Sequence, residues 1–333
     1  MAQSFIVRFR PTGPWRFGPD SGAREQVDQI FHSDAVYSAV SSAMATLGLL
    51  DDWLAATAQT ESGRSLVRFS SLYPFQRDTL FVVPPFGLWP PPPSTKVRYK
   101  GARFVPLSVV EAILNDKPLD EDRWQVDGES ACLVPNGWHD GPFRVGVRSN
   151  VAVDRLDAGR IDMHTTACLE FTRESGLWMI VVFDDEDARS QWEPRLRGAL
   201  RLLADTGIGG ERSRGWGHAL MPKWEKMQPL AVEKPEGVES AYWLLSLYAA
   251  ADSDGIDWNR GYYSTITRSG RTQSVARWGE LKRATTMVTE GSVLLAASEP
   301  HGSIRNVAPE GFPHAVYRCG FAVTIPIPWR VAQ

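Results

Sequence analysis

The order of the predicted elements indicates an α+β protein built in two parts. Residues 1–225 show strand and helix patterns in the order strand, helix, strands, helix, strand, which fits a ferredoxin-like sheet with insertions. A polar, proline-bearing linker follows over residues 226–240, and residues 241–333 are apolar, rich in strand patterns and poor in helix patterns. We therefore predict an N-terminal domain, a linker and a C-terminal β-rich domain with these bounds.

The first elements follow from local patterns. Alternating side chains over Ser4–Arg10 predict a strand, which the segment Pro11–Pro14 ends. Ser33 is a suitable N-cap for a helix whose apolar residues recur at helical spacing up to Gly48. Leu80–Val83 predicts a strand, which is short because two prolines follow it.

The middle of the chain predicts a protruding hairpin. Phe143–Val153 has alternating valines and predicts a strand, and Asp154–Met163 predicts the tip of a hairpin. His164–Phe171 and Leu177–Phe183 are predicted to pair with each other around a turn at residues 174–176.

The remaining segments predict one helix and several strands. An amphipathic pattern predicts a helix over Ala188–Ala204, and Gly217–Trp224 is predicted to continue as a strand. Short apolar segments of the C-terminal part predict a second sheet: Ala241–Ala250, Tyr262–Arg268, Thr285–Thr289, Ser292–Ala297 and Val316–Ile327.

The loop from Gly207 to Gly217 is the most informative motif. It places glycines, Arg212, Ser213, Arg214 and a tryptophan directly after the amphipathic helix. Glycines permit close backbone approach, arginines suit phosphate, and a tryptophan can stack on a base. This combination favours a sugar-phosphate chain over a small metabolite.

Two other structures would also place glycines at these positions. A helix C-cap at Gly207 followed by a tight return into a strand explains part of the pattern without any ligand. A nucleotide-binding P-loop is disfavoured, because that motif lies between a strand and a helix and carries a lysine, whereas this loop follows a helix and has none.

Composition is that of an ordinary soluble globular protein expected in the cytoplasm. The 333 residues carry a net charge of −3, 43% hydrophobic residues and three cysteines without a CxxC pattern. No apolar run approaches the length needed to cross a bilayer, and no signal peptide precedes the first strand. The negative net charge does not favour binding to nucleic acid, so any affinity for nucleic acid must come from local basic clusters.

Three basic clusters are present, and each is also compatible with a merely solvated surface. The first follows a run of four prolines, the second lies in the predicted hairpin, and the third lies in the C-terminal part. Their members are Lys96, Arg98, Lys100 and Arg103; Arg144, Arg148, Arg155 and Arg160; and Arg268, Arg271, Arg277, Lys282 and Arg283.

These motifs together resemble the RAMP superfamily of CRISPR RNA-binding proteins. The residues that carry the resemblance are the helix start from Phe31 to Ala39, the segment Arg16-Phe17-Gly18, the glycine loop, and Val147–Asn150 with its continuation to Arg155. Within that superfamily, the chain is similar to the subunit that caps the 5′ end of the guide RNA in type III-A Csm interference complexes, which is subunit four of the complex. Later pieces with the family's general pattern are Lys282-Arg283, Glu290-Gly291-Ser292 and Arg318–Ala322.

The resemblance implies a fold, a set of partners and no catalytic activity. The fold would be two ferredoxin-like (RRM-type) modules with a β-hairpin thumb. The partners would be the 5′ handle of the guide RNA (crRNA), the polymerase-like large subunit, a backbone RAMP subunit, and target RNA where the guide begins. No cofactor, metal or membrane is implied.

The resemblance implies roles for individual residues of this chain. Those expected to contact RNA are Ser33, Lys96, Arg98, Lys100, Arg148, Asn150, Arg155, Gly207, Gly209, Gly210, Arg212, Ser213, Arg214 and Gly215. The thumb would comprise Asp154, Leu156, Ile161 and Met163. Tyr99 and Trp89 are candidates for stacking on bases, although packing in the core is the more common role for such residues.

Two alternatives of a different class stay open. A metal-independent ribonuclease that processes guide RNA would use a histidine, and His32 and His164 are the candidates. The chain could also be a structural bridge whose RNA contacts are incidental. Since the histidines show no close ligand spacing, the sequence does not favour a zinc site.

Overall fold

The computed structural model describes residues 2–19, 21–60, 62–90, 98–153, 161–233, 237–274 and 277–330. The helices described there are α1 (Ser33–Thr46), α2 (Leu50–Thr57), α3 (Leu107–Leu114) and α4 (Glu186–Thr206). No described helix is both long and apolar enough to span a membrane.

The strands fall into an N-terminal and a C-terminal group. The first group is β1 (Gln3–Phe9), β2 (Val67–Phe69), β3 (Tyr73–Gln76), β4 (Thr79–Val82), β5 (Val105–Pro106), β6 (Trp124–Val126), β7 (Leu133–Pro135), β8 (Phe143–Val153), β9 (Ile161–Phe171), β10 (Ser175–Phe183) and β11 (Lys223–Lys226). The second group is β12 (Ser240–Leu244), β13 (Ile256–Tyr262), β14 (Thr265–Arg268), β15 (Arg271–Gln273), β16 (Trp278–Leu281), β17 (Thr285–Val288), β18 (Val293–Ala296), β19 (Gly302–Asn306), β20 (Tyr317–Phe321) and β21 (Thr324–Pro328).

The N-terminal sheet is antiparallel and built around β10. Its order is β11-β1-β10-β3-β4-β5, and β2 also pairs with β10. Every residue of β10 is buried, as expected for a central strand covered on both faces. Strand β1 shows the predicted alternation, since Phe5, Val7 and Phe9 are buried.

One predicted strand pairing is wrong. We expected His164–Phe171 to pair with Leu177–Phe183, but β10 pairs with β1, β2 and β3, whereas β9 pairs with β8. The physical reason is that β10, which is buried along its whole length, has its neighbours inside the core, while the adjoining β9 has a polar face that suits a protruding hairpin.

Other predicted elements are right in type but differ in bounds. The helix over Ala188–Ala204 is α4, whose N-cap Asp185 accepts a 2.7 Å hydrogen bond from the N–H of Ala188. The first helix begins one residue earlier than predicted, with His32 and not Ser33 at the N-cap position. The strand expected over Gly217–Trp224 is confined to β11.

The C-terminal strands form a four-stranded sheet in the described residues, with the order β13-β18-β12-β21. Read from the opposite edge, the order is β21-β12-β18-β13, which by position in the chain is fourth, first, third, second. The four strands β11, β1, β10 and β2 of the first sheet follow the same order. The two sheets share one hydrophobic core, and α1 lies against β20.

Candidate nucleic-acid interface

The glycine loop begins where α4 ends. Gly207 has φ +92° and its N–H donates to the carbonyl oxygen of Leu203 at 2.8 Å, which confirms the predicted helix C-cap. A left-handed residue, Glu211, then leads into a short 3₁₀ turn over Arg212–Arg214.

Two glycines of the loop face the protein's own backbone. A Cβ on Gly209 would lie 2.3 Å from the carbonyl oxygen of Arg16, and a Cβ on Gly217 would lie 2.2 Å from that of Ile208. Both residues also have positive φ. The close approach that glycine permits is therefore used at Gly209 to dock the loop on Arg16, and at Gly217 to close the loop on its own residue Ile208.

The tip of the loop is free to meet a partner. Arg212, Ser213, Arg214 and Gly215 are exposed, and in the described chain no carboxylate lies within 4.0 Å of the Arg212 guanidinium. Arg214 pairs with Glu211 at 3.0 Å. The expectation that the loop's tryptophan stacks on a base is wrong, because Trp216 is buried with 8% exposure.

Arg16 joins the loop to the β8–β9 hairpin. Its guanidinium is buried and donates to the carbonyl oxygens of Ala23, Arg24, Gln26 and Ala167 at 2.7–2.9 Å. Its backbone carbonyl accepts from the N–H of Gly210 at 2.9 Å. The basic tip of the loop and the base of the hairpin therefore form one surface, which we call the loop–hairpin surface (residues 144–150, 163–170 and 210–215).

The hairpin has one apolar and one polar face. Strands β8 and β9 pair in register from Phe143↔Phe171 to Val153↔Ile161. On the apolar face, Val147 and Met163 are 59% and 70% exposed. Exposed apolar side chains on a two-stranded arm point to a surface that a partner covers.

The polar face carries two arginines that share one carboxylate. Glu170 pairs with Arg144 at 2.9 Å and with Arg148. A Cβ on Gly146 would meet the Glu170 side chain at 2.7 Å, so this glycine makes room for the carboxylate between the arginines. Asn150, farther along, donates to Thr166 Oγ1 at 3.2 Å.

The predicted thumb is longer than the sequence pattern indicated. It begins at the base of β8 and β9 and is not confined to Asp154–Met163. Ile161 and Met163 lie on its exposed apolar face. The predicted residues Asp154, Arg155 and Leu156 lie outside the described residues.

The basic run after the prolines is only partly described, because Lys96 lies outside the described residues. Arg98 pairs with Asp122 at 3.4 Å, and Lys100 is exposed. Tyr99 is fully buried and stacks on Trp89 at 5.9 Å, so these two rings pack on each other.

His32 lies in a buried ionic cluster between the two sheets. Its Nδ1 is 2.8 Å from Glu290 Oε1 and its Nε2 is 3.1 Å from Asp28 Oδ2. Although burial by itself lowers the pKa of the imidazole, the Glu290 charge and the hydrogen bonds to both carboxylates outweigh it and raise that pKa to about 10. His32 is therefore protonated at neutral pH, with both nitrogens occupied.

Ser33 is buried at the same junction. Its N–H donates to Ser71 Oγ at 2.9 Å, and its own Oγ accepts from the N–H of Leu247 at 3.0 Å. The first contact joins α1 to the segment between β2 and β3, and the second joins it to the C-terminal part of the chain. The second histidine candidate, His164, lies on the polar face of the hairpin opposite Asn150.

Sequence reasoning missed the residues whose partners are distant in the chain. Glu290 lies 258 positions from His32, and Arg318 lies 284 positions from its partner Asp34 at 2.6 Å. Arg16, Glu290 and Arg318 did fall within segments that the family resemblance singled out, and this resemblance was the only signal available. Among the described residues, no three His, Cys, Asp or Glu side chains are grouped to hold a metal ion.

Comparison with known proteins gives one family match and several similar structures. Residues 238–327 match the family described as the CRISPR Csm4 C-terminal domain. No curated protein sequence matches the chain. The fold is similar to that of a chain in the Csm3–Csm4 subcomplex of the type III-A CRISPR–Cas interference complex, with a TM-score of 0.65 and 15% identity over 98% of this chain and 99% of the other.

Two further similar structures are Csm1–Csm4 cassettes. The one in complex with pppApA has a TM-score of 0.60 and 15% identity over 98% of this chain and 99% of the other. The one in complex with cA4 has a TM-score of 0.59 and 16% identity over 99% of both chains. At these identities the similarity establishes the fold.

Proposed function

We propose that this chain, a Csm4-like RAMP protein, is a non-catalytic RNA-binding subunit of a type III-A CRISPR interference complex. It binds the 5′ handle of the guide RNA, caps that end of the complex, and contacts the polymerase-like large subunit and a backbone RAMP subunit. The solved structures with a similar fold contain the pairs Csm1–Csm4 and Csm3–Csm4, which supports these two partners.

The strand order supports two ferredoxin-like modules. In both sheets the order is fourth, first, third, second, which is the order of a ferredoxin-like βαββαβ unit. Helices α1 and α4 occupy the two crossover positions of the first module. The second module has a short 3₁₀ turn (Asp252–Asp254) and the β19–β20 hairpin in the corresponding connections.

The loop–hairpin surface is the observation that carries the proposal. Arg16 holds the exposed turn Arg212–Arg214 beside the base of the hairpin, so a cationic loop and a protruding arm act on one strand of RNA. Guanidinium groups and backbone N–H groups in such a turn position phosphates without reading sequence. The exposed apolar side chains Ile161 and Met163 fit a wedge that enters the start of the guide–target duplex.

A histidine-dependent ribonuclease is the weaker candidate. General acid–base catalysis works best with a pKa near the operating pH, whereas the pKa of His32 is raised to about 10 and both ring nitrogens contact carboxylates. Incubation of a repeat-containing RNA with the protein in EDTA tests this. Specific cleavage that disappears in His32→Ala or His164→Ala would establish the nuclease and overturn our proposal.

The proposal is tested by replacing Arg212 and Arg214 with alanine. A matched control removes the same charge from α4 by replacing Arg189 and Arg197, which pair with helix glutamates on the exposed surface. If both loop arginines contact phosphate, the slope of log affinity against log salt falls by about 1.4, from about 0.7 per single-strand phosphate contact. We expect the control to leave the slope unchanged.

Selectivity for the handle needs a separate measurement. A guide RNA with its handle should bind more tightly than the same RNA without it. Equal binding of the two RNAs would refute handle recognition. Normal assembly of the complex after neutralisation of the loop arginines, together with unchanged RNA affinity, would favour the structural-bridge alternative.

A further inference from the structure

The C-terminal module has a hairpin in the same topological position as the β8–β9 hairpin. Strands β14 and β17 pair from Thr265↔Val288 to Arg268↔Thr285, and β15 and β16 extend the arm from Arg271↔Leu281 to Gln273↔Trp278. We call this arm the second hairpin (Thr265–Val288). It connects β13 to β18, the second and third strands of its sheet, just as the β8–β9 hairpin lies between β2 and β10.

The second hairpin contains the third basic cluster of the sequence. That cluster has five cationic residues and one acid, Glu280. Arg268 is taken up by the ion pair with Asp34 at the base of the arm. Arg271, Arg277 and Arg283 are exposed toward the tip and along the side.

Two of these arginines donate hydrogen bonds to carbonyl oxygens. Because a carbonyl oxygen carries no net charge, these bonds fix the guanidinium groups without neutralising them. The Arg271 guanidinium donates to the carbonyl oxygen of Gly279 at 2.6 Å, and that of Arg283 donates to the carbonyl oxygen of Asn306 at 2.8 Å. Arg305, on the neighbouring β19, donates to the carbonyl oxygen of Ala250 at 2.7 Å. Within the described chain no carboxylate lies within 4.0 Å of these three guanidinium groups, unlike Arg144 and Arg148, which share Glu170.

A groove runs beside Arg283. It has a volume of about 640 Å³, and its lining residues include Arg283, Asn306, Phe312, His314 and one acid, Glu310. The rings of Phe312 and His314 lie 4.9 Å apart at 80°. His314 is further positioned by a contact of 2.7 Å between its Nε2 and Ser274 Oγ.

This chemistry fits a single-stranded nucleic acid better than an acidic peptide. Fixed guanidinium groups suit the regular charge of a phosphate backbone, and aromatic rings beside them provide faces on which bases stack. Arg271 pairs with the exposed Leu281 across β15 and β16, and Arg283 follows Leu281 by two residues, just beyond the end of β16. An unpaired strand of RNA that passes Arg271 would next meet Arg283 and the groove beside it.

We infer that the second hairpin and the adjoining groove are a second binding surface for single-stranded RNA. The inference rests on the proposed function, because it assumes that the chain holds RNA. It adds a contact on the C-terminal module, separate in the chain from the loop–hairpin surface, and thereby lengthens the RNA that one subunit holds.

The test uses the full chain and a fluorescent single-stranded U-rich RNA of about 20 nucleotides, since phosphate contacts do not depend on sequence. Arg271 and Arg283 are replaced together by glutamine. We expect the salt slope of binding to fall by about 1.4, with the change in affinity largest at low salt. A variant with Lys at both positions retains the charge and should recover most of the slope.

Controls separate this inference from the proposed function. A loss of slope with the loop variant Arg212→Ala/Arg214→Ala but not with Arg271→Gln/Arg283→Gln would overturn the inference and leave the proposed function standing. A loss with the second-hairpin variant alone would support the inference and refute the loop's role. Unchanged RNA binding with weakened capture of the large subunit would identify the arm as a protein contact and would also overturn the inference.

Folding of the variant is checked by its thermal midpoint. Both side chains are exposed and bond only to carbonyl oxygens that solvent can reach, so the midpoint should stay close to that of the wild type. If the glutamine variant has a lowered thermal midpoint, the test rests on the lysine variant. A salt slope equal to that of the wild type then supports a charge contact with RNA, and a reduced slope in a folded lysine variant contradicts it.

Discussion

Replacement of His32 by glutamine should remove a large, pH-dependent contribution to stability. The imidazolium is buried between Asp28 and Glu290, and its pKa rises from 6.5 to about 10 on folding. Since a tenfold change in proton affinity is worth about 1.4 kcal/mol, the charged form stabilises the fold by on the order of 5 kcal/mol. Removal of one partner from a buried ion pair typically destabilises by about 3–5 kcal/mol, which agrees.

The direction of the pH dependence follows from the sign of the shift. Because the folded pKa is higher than the unfolded one, the contribution is fully present below pH 6.5 and is lost as the pH rises toward 10. The pKa of Asp28 is lowered to about 2, despite burial, by the hydrogen bond and charge of His32. The contribution of Asp28 to stability is present above about pH 4 and is lost only in acid. It therefore does not change over the neutral and alkaline range in which the contribution of His32 is lost.

The assay is urea unfolding at pH 7 and pH 8.5, followed by tryptophan fluorescence. Between these values, the wild type should lose about 2 kcal/mol more than His32→Gln, because the folded state keeps a proton that the unfolded state releases. The buried thiols of Cys132 and Cys319 have raised pKa values, but they affect stability only near and above pH 9. An identical pH dependence in the wild type and the variant would refute the assignment of a buried imidazolium.

Two further substitutions probe the docking of the glycine loop. Gly209→Val should destabilise the protein by about 2–5 kcal/mol, because the new side chain meets the Arg16 carbonyl and strains a residue with φ +89°. The control Gly215→Ala adds only backbone strain, of about 1–2 kcal/mol. Equal losses of stability in urea unfolding would show that the loop is not docked. Arg16→Met should destabilise the protein by about 3–5 kcal/mol, because the carbonyl oxygens that accept from the guanidinium lose their donor. It should also speed amide hydrogen exchange over residues 23–26 and at Ala167. Unchanged exchange at these residues would contradict the role of Arg16 as the link between loop and hairpin.

Local patterns predicted those elements whose burial is set by residues close in the chain. The alternation in β1, the amphipathic face of α4 and the cap at Gly207 each depend on neighbours within a few positions, and each was found. The exposed tip Arg212–Arg214 also follows from local chemistry, since a polar turn after a helix cannot be buried without partners.

Other features depended on contacts between distant parts of the chain. The sequence suggested that β9 and β10 pair because they are adjacent, but β10 is buried along its whole length and is stable only with strands on both sides inside the core. Likewise the loop motif predicts that Trp216 stacks on a base, but tertiary packing buries this ring.

The sequence by itself determined the α+β class, the main helices, the basic clusters and the family resemblance, because these depend on residue type and short-range spacing. Only the tertiary structure decided what the glycines of the loop approach, which charges are compensated and which are free, and that His32 is a buried cation. A side chain's charge, exposure and pKa depend on partners that can lie more than 250 positions away, as Glu290 does from His32. Spacing along the chain carries no information about such partners.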